Sequence, residues 1–393
     1  MKRLRSLLGW PVALLGLFVH RRPRSWAFVM DRHQDFEGNL RTLAQHLLRR
    51  GDCHVYLLNH RRSFNESLVA DCPGLILVQG GSWQEFLTRL RCRQVVISHG
   101  FNSVLGLYRR LTGVRLINVW HGIPVKAMGN LNPAEAEDAS NLSSIAAGHR
   151  MLHTFTVSSE LERTMMAGCF LLDAQKIRVT GIPRTDVLLA ADKRDRRQKE
   201  IIEDIEGIKG ARTLVLYAPT FRDYDRAAVG FTRAEMERIN ALAGQEGFLF
   251  AIRVHPRERD LYRDLGANLE HIISADAGRW EDANAVLCAT DLLISDYSSV
   301  WIEYLLLERP VCAYLWDEEA YRSRRGFLLE LTSVLPGPVV RDVSQLLEAL
   351  SKFAKAGFAL GEHADQHARA RALFHRHRDG RSCERIYEAA MAD

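Results

Sequence analysis

The sequence predicts an α/β chain built as two facing Rossmann-like domains with a cleft between them. Three observations carry that reading. Short β-branched runs alternate with helical stretches through the first half, the pattern of a mainly parallel sheet. A nearly all-charged stretch, Asp192 to Glu200, then interrupts the pattern, and the second half starts it again. A chain of 393 residues is long enough for two domains of ordinary size.

The elements follow in order. Lys2, Arg3 and Arg5 precede an apolar run from Leu7 to Val19, and Arg21, Arg22 and Arg24 follow it. The run is too short to span a bilayer and contains Pro11. No small-residue cleavage site follows it. Residues 1–25 are therefore expected to lie on an anionic membrane surface, basic flanks on the headgroups. An ordinary first helix packed on the domain accounts for the same residues.

Residues 26–190 read as the first domain. Strands are expected at Trp26–Met30, His54–Leu58, Leu75–Val78, Gln94–Ser98, Arg115–Trp120, Thr154–Val157 and Lys176–Thr180, with helices such as Asn39–Arg50 and Trp83–Arg91 between them. Residues 191–212 read as a solvated charged connector. Residues 213–362 read as the second domain. Its strands are expected at Thr213–Tyr217, Phe248–Val254, Leu269–Ile273, Leu292–Ser295 and Val311–Tyr314, and its helices at Arg233–Ala243, Val300–Leu307 and Val343–Phe353. Residues 363–393 read as terminal helices, broken near Asp379-Gly380, that cross back over the first domain.

Composition narrows the function. The hydrophobic fraction of 47% fits a full globular core, and the net charge of +5 is mild. Basic residues interleaved with acids, without a set of stacking aromatics, argue against nucleic acid as a partner. Seven scattered cysteines form no CxxC pair, which favours buried thiols over disulfides or zinc. There is no HExxH, GxxxxGK, GxGxxG or GxSxG, so a zinc site, a P-loop, a nicotinamide enzyme and a GxSxG hydrolase are not expected. Asp223-Tyr224-Asp225 is a DxD, but three residues in a polar stretch read as a solvated loop.

Several strand ends carry chemistry-bearing residues, where open α/β sheets place their ligands. Val119-Trp120-His121-Gly122-Ile123-Pro124-Val125-Lys126 brings His121 to the position of a general base, with Lys126 beyond it. A packed histidine and a surface lysine fit equally well. Ile294-Ser295-Asp296-Tyr297-Ser298-Ser299 runs from a strand through a polar turn into a helix. Helix N-termini offer unpaired N–H groups and a positive dipole end, and Ser298 and Ser299 add hydroxyls, so phosphate binding is expected here. Capping explains one serine, not both. Glu303, one turn on, is placed to accept from ribose hydroxyls.

In Arg253-Val254-His255-Pro256, Arg253 and His255 alternate on one strand face. Two donors there suit a pyrophosphate and the charge on a leaving phosphate. A buried His–Arg pair bonded to carboxylates is the plainer reading. Gly181-Ile182-Pro183-Arg184-Thr185-Asp186 and Tyr217-Ala218-Pro219-Thr220-Phe221-Arg222 each place an arginine past a strand. Arg184 and Arg222 are candidate anion contacts or surface ion-pair partners.

Taken together and in this order, these motifs resemble the CDP-glycerol glycerophosphotransferase family, the primases and polymerases of wall teichoic acid, with relatives acting on CDP-ribitol and in capsule synthesis. Asp379-Gly380-Arg381-Ser382-Cys383-Glu384-Arg385 resembles that family's C-terminal signature. The resemblance implies a GT-B fold, no required metal or cofactor, a peripheral location on the cytoplasmic membrane face, and a lipid-linked or polymeric acceptor. It implies that His121 is the base and that His255, Ser298 and Ser299 contact the donor phosphates. Arg253, Glu303, Thr220 and Arg222 are placed with the donor, and Lys126, Arg184 and Asp296 in supporting or acceptor roles. Glu303 stands where aspartate is expected, and Ile123 where many relatives carry threonine.

The expected activity is transfer of glycerol phosphate from CDP-glycerol to an acceptor hydroxyl, with release of CMP. CDP-ribitol as donor, a GT-B hexosyltransferase using a nucleotide sugar, and a non-catalytic membrane-attached nucleotide-binding protein are the alternatives. The sequence leaves the oligomeric state open.

Overall fold

A computed structural model of the chain describes residues 19–30, 36–59, 67–100, 113–132, 136, 148, 151–222 and 229–392. It divides into two compact units. The first comprises residues 1–122, 128–186 and 376–393, and the second residues 123–127 and 187–375.

The first unit holds strands β1 (Arg22–Val29), β2 (His54–Asn59), β3 (Ile76–Gln79), β4 (Cys92–Ile97), β5 (Arg115–Asn118), β6 (Leu152–Val157) and β7 (Ile177–Val179). They form one parallel seven-stranded sheet in the order β3-β2-β1-β4-β5-β6-β7. Helices α1 (Gly38–Arg50), α2 (Trp83–Arg91) and α3 (Glu160–Phe170) lie in the crossovers, and a C-terminal helix spans Ser382–Met391. One face of the sheet buries Trp26, Phe28, Ile117 and Val119 with Leu40 and Leu43 of α1 and Ile386 and Tyr387 of the C-terminal helix. Covering both faces lets the central strands read as continuous apolar runs.

The second unit holds β8 (Thr213–Ala218), β9 (Phe248–Ile252), β10 (Ile272–Ser274), β11 (Leu292–Ser295), β12 (Val311–Tyr314) and β13 (Val339–Val340). They pair in parallel as β10-β9-β8-β11-β12-β13. Its helices are α4 (Arg196–Lys209), α5 (Arg233–Glu246), α6 (Arg259–Gly266), α7 (Ala283–Ala289), α8 (Val300–Tyr304), α9 (Glu318–Arg325), α10 (Val343–Lys355) and α11 (Ala364–Phe374). The α/β class and the pair of Rossmann-like parallel sheets are as expected.

Several boundaries differ from expectation, each for a local reason. Strand β1 starts at Arg22, inside the stretch assigned to a membrane segment, because Arg22 pairs with Cys92. Residues 1–18 of that segment, and the DxD at 223–225, lie outside the described residues. Residues 191–212 are no free connector. A capping box of Asp195 and Gln198 starts α4, which buries Gln198, Ile201 and Ile205 in the second unit. Gln198 also bonds Asp282 at 2.9 Å. Helix α11, expected to cross back, stays with the second unit, where buried Phe374 meets Trp301 edge-on. The return to the first unit begins at Arg376. Strand β5 ends at Asn118, two residues early, because Trp120 takes a left-handed φ of 45°. Strand β9 ends at Ile252, β10 is shifted toward Ser274, and the helix from Val300 tightens to a 3₁₀ turn over Leu305–Leu307.

Candidate functional site

The first unit carries His121 beyond the carboxyl end of β5. Its Nδ1 lies 3.0 Å from the carbonyl oxygen of Ser98, at the end of β4. A carbonyl only accepts, so Nδ1 carries the proton, and the lone pair of the neutral ring falls on Nε2. The ring stacks on His99 at 4.3 Å and 13°, and the Trp120 ring also lies at 4.3 Å. His121 is exposed, as a base that meets a substrate must be.

Two asparagines hold this loop. Asn118 Oδ1 accepts from the Trp120 N–H at 2.9 Å, and its Nδ2 donates to the carbonyl of His99 at 3.0 Å. Asn39 Nδ2, at the start of α1, donates to the carbonyls of Val119 (3.1 Å) and Trp120 (2.8 Å). These bonds stabilise the strained backbone at Trp120. Asn39 Oδ1 accepts from the N–H of Arg184 at 3.1 Å, which ties the Gly181–Asp186 motif to the His121 loop. Asp186 in turn accepts from the N–H groups of Ser382 and Cys383, both at 2.9 Å, at the start of the C-terminal helix. A Cβ on Gly181 would lie 2.2 Å from Ser382 Oγ, so only glycine permits this approach. Two motifs far apart in sequence are therefore one structural joint. Asn39, Asn118 and His99 were missed from sequence. His99, directly after a strand just as His121 is, offered the same signal.

The second unit carries a cavity of about 460 Å³ beyond the carboxyl ends of β8, β9 and β11. Lys126, Thr220, Phe221, Arg253, His255, Ser298, Tyr321 and Arg325 line it, with apolar walls from Leu216, Val254 and Leu287. The floor is fixed by Asp296. Its Oδ1 accepts from the Thr220 N–H (2.8 Å), the Thr220 hydroxyl (2.7 Å) and the Ser298 N–H (3.3 Å), so one carboxylate joins two strand-end loops.

Arg222 is not in the cavity lining. Its side chain is 2% exposed and pairs with Asp296 at 2.8 Å and with both oxygens of Asp317 at 2.8 Å. Burial works against its charge, but Asp296 and Asp317 outweigh burial and raise its pKa above the ordinary value. Asp317 also accepts from Tyr297, and Tyr297 stacks on Tyr321 at 4.0 Å. Expected as a donor contact, Arg222 is instead the buried centre of a network beneath the cavity.

Glu303 is also corrected. It is 2% exposed, accepts from Asn284 at 3.4 Å, and does not line the cavity. Arg253 borders the cavity, but its guanidinium donates to the carbonyls of Ala275 (2.8 Å), Trp280 (2.6 Å) and Glu281 (3.0 Å). It thus braces the loop after β10. Ser298 lines the cavity and accepts from the Val300 N–H at 3.4 Å, whereas Ser299 makes no capping bond and is not in the lining.

His255 is exposed, with its ring stacked on Phe221 at 4.4 Å. Its Nδ1 accepts from the Arg257 N–H at 3.3 Å, which puts the neutral ring's proton on Nε2 as a donor. Burial, then the Arg257 charge, lowers its pKa from 6.5. A depressed histidine pKa disfavours protonation in the fold, so this group costs stability as pH falls through the unfolded value. A proton NMR titration should place the His255 midpoint below 6.5. His255→Gln, which keeps a neutral donor, should hold donor affinity, whereas His255→Phe should weaken it about tenfold.

Lys126 reaches the cavity because residues 123–127 pair with the chain after α9. Lys126 bridges Phe327, the Ala127 N–H donates to Gly326 at 3.2 Å, and the Leu328 N–H donates to Val125 at 2.9 Å. This strap brings Lys126 into the cavity lining, which Arg325 at the end of α9 also joins. Arg325, which the sequence reading passed over, lies in a basic run, Arg322–Arg325, that reads as a solvated face. Loss of either side chain should weaken binding of a phosphate-bearing donor about tenfold or more, measured by calorimetry, since hydrogen bonds to charged groups are worth about 1.5–3 kcal/mol. Among the described residues no cluster of three or more His, Cys, Asp or Glu side chains could hold a metal ion.

A family model described as CDP-glycerol:poly(glycerophosphate) glycerophosphotransferase matches residues 15–391. The chain belongs to this glycerophosphotransferase family. It is 27% identical over 388 residues to the teichoic acid ribitol-phosphate polymerase TarK of Staphylococcus aureus, covering 97% of this chain and 71% of that protein. To the ribitol-phosphate polymerase TarL of the same organism it is 27% identical over 288 residues, and the match spans about half of that relative's length, 49%. The teichoic acid glycerol-phosphate primase of Bacillus subtilis is 26% identical over 264 residues, 65% of either chain. Among solved structures, the wall teichoic acid polymerase TagF superposes with a TM-score of 0.75 at 18% identity, covering 98% of this chain and 92% of that one. A UDP-GlcNAc 2-epimerase from Neisseria meningitidis superposes at 0.60. The glycerophosphotransferase fold is thus shared with a nucleotide-sugar enzyme, and the residues of the site, not the fold, must decide the donor.

Proposed function

We propose that the chain transfers a polyol phosphate from CDP-glycerol or CDP-ribitol to a hydroxyl of a lipid-linked or polymeric acceptor at the cytoplasmic face of a membrane. The observation that carries this reading is the second unit's cavity, where Lys126, Arg325, His255 and Ser298 line the wall as phosphate donors beside apolar side chains. Such a cavity suits a nucleoside diphosphate ester, with the base against the walls and the pyrophosphate among the donors. Family membership and the teichoic acid relatives support the same donor class.

In this mechanism the acceptor oxygen attacks the phosphorus that bears the polyol. The new O–P bond forms as the bond to the bridging oxygen breaks. His121 Nε2 takes the hydroxyl proton. CMP leaves with the bridging oxygen, its charge held by Lys126, Arg325, His255 and Ser298. No covalent intermediate on the protein is required.

Calorimetry with CDP-glycerol, CDP-ribitol, CDP, CMP and two UDP-sugars, without added metal, tests the donor class. Selective binding of one CDP-polyol is expected and names the transferred group. Preference for a UDP-sugar would mean a hexosyltransferase. Absence of binding by the folded protein would favour a non-catalytic role.

A further inference from the structure

The chain returns to the first unit at Arg376 and crosses the carboxyl ends of its sheet before the C-terminal helix begins. Three anchors fix that crossing. The Arg376 N–H donates to the carbonyl of Ser158, just past β6, at 2.9 Å. His377 Nε2 donates to the carbonyl of Val179, the last residue of β7, at 3.2 Å. The Ser382 and Cys383 N–H groups close the crossing on Asp186. Strands β5, β6 and β7 are consecutive parallel neighbours. Their carboxyl ends therefore lie within about 10 Å of one another, and His121 stands just beyond the end of β5.

Between the anchors the segment is basic. Arg376, Arg378 and Arg381 are exposed. Among the described residues no side-chain hydrogen bond, ion pair or ring contact holds their guanidiniums. The carboxylates beside them are committed elsewhere. Asp379 accepts from Arg385 at 3.0 Å and from the Arg381 N–H at 3.2 Å. Glu162 accepts from the N–H (2.6 Å) and the hydroxyl (3.0 Å) of Ser158. Asp186 holds the start of the C-terminal helix.

Three unpaired guanidiniums within six residues repel one another and attract anions. Their planar forks match phosphate oxygens two at a time. The donor's phosphates have cations of their own in the second unit, Lys126 and Arg325. The substrate that must reach His121 in the first unit is the acceptor, whose hydroxyl gives up its proton there.

We propose that Arg376, Arg378 and Arg381 form an acceptor subsite, which holds phosphodiester groups of an anionic polyol-phosphate chain while its terminal hydroxyl meets His121. This rests on the reading that the chain is a polyol-phosphate transferase, not on which polyol it transfers. The subsite grips diester charge, so an acceptor of several repeats binds more tightly than an acceptor of one.

The test titrates the full chain with glycerol-phosphate oligomers of one repeat and of several, and measures acceptor KM in the transfer reaction. The wild type should bind the longer oligomer more tightly. The variant carrying Arg376→Gln, Arg378→Gln and Arg381→Gln should bind it about threefold more weakly per exposed contact removed, about thirtyfold in all. Its acceptor KM should rise to match and its length preference vanish. Its kcat at saturating acceptor, donor affinity and circular dichroism spectrum should not change. Arg376→Gln with Arg378→Gln, which leaves the start of the C-terminal helix untouched, should lose about tenfold. A control with Lys199→Gln, Arg238→Gln and Arg263→Gln removes the same charge from the second unit and should bind as the wild type does. Unchanged oligomer binding by the folded variants would overturn the subsite. Equal weakening in the control would overturn it too, since net charge alone would then explain the loss. So would weaker binding of the variants to phosphatidylglycerol vesicles with oligomer binding intact, which would assign these arginines to a membrane. A wild type that binds no oligomer overturns the subsite in every case, and the transferase reading falls with it only if CDP-glycerol and CDP-ribitol also fail to bind.

Discussion

His121→Ala should lower the transfer rate by about 10²–10⁴-fold, the usual share of a positioned general base, with the donor dissociation constant unchanged. The expectation of unchanged affinity follows from the role proposed for His121, which acts on the acceptor's proton and not on the donor. The base is defined by its tautomer. Nδ1 is committed to Ser98, so Nε2 is the atom that accepts a proton. Asn39→Leu should reproduce part of the loss by another route. It removes the partners of the Val119 and Trp120 carbonyls, lets the loop relax, and lowers kcat rather than donor affinity. Normal turnover by folded His121→Ala would remove the base from the account. Wild-type kcat for Asn39→Leu would remove only the positioning argument.

Arg222→Met should be the most destabilising single change in the second unit. It strands Asp296, which is buried, and Asp317, which is nearly so, without their shared cation. Breaking one partner of such a buried set costs about 3–5 kcal/mol. The urea midpoint of the second unit should fall accordingly. Donor affinity should fall too, because Asp296 orders both Thr220 and Ser298 at the cavity floor. Adding Asp317→Leu should recover part of the lost stability, since it removes one uncompensated charge. A midpoint unchanged in Arg222→Met would mean the network is not the support described here.

The sequence made the sheets legible because both are buried on two faces and read as apolar runs between helices. Strands β11 and β12 appear with the boundaries their residues predict. The candidate site was legible where a motif ends a strand, as at His121, His255 and Ser298, which the structure leaves exposed or lining the cavity. It was not legible where a polar side chain is buried by partners remote in sequence. Arg222 and Thr220 sit in one motif, yet one faces the cavity and the other is enclosed by Asp296 and Asp317, 74 and 95 residues away. Glu303 looked available because helix periodicity does not say which turn is covered. Arg253 looked like an anion ligand because the carbonyls of Ala275, Trp280 and Glu281 that occupy it belong to an irregular loop. Arg325 went unread because its basic run, Arg322–Arg325, reads as a solvated face.

The most direct measurement is CMP release by the purified chain from CDP-glycerol and CDP-ribitol, with a short glycerol-phosphate oligomer as acceptor and mass spectrometry of the product. The account predicts that one of the two donors yields CMP in step with an acceptor lengthened by one or more polyol phosphates, and that His121→Ala slows both by about 10²–10⁴-fold. Consumption of a UDP-sugar in place of both, or CMP release that His121→Ala leaves intact, would contradict it.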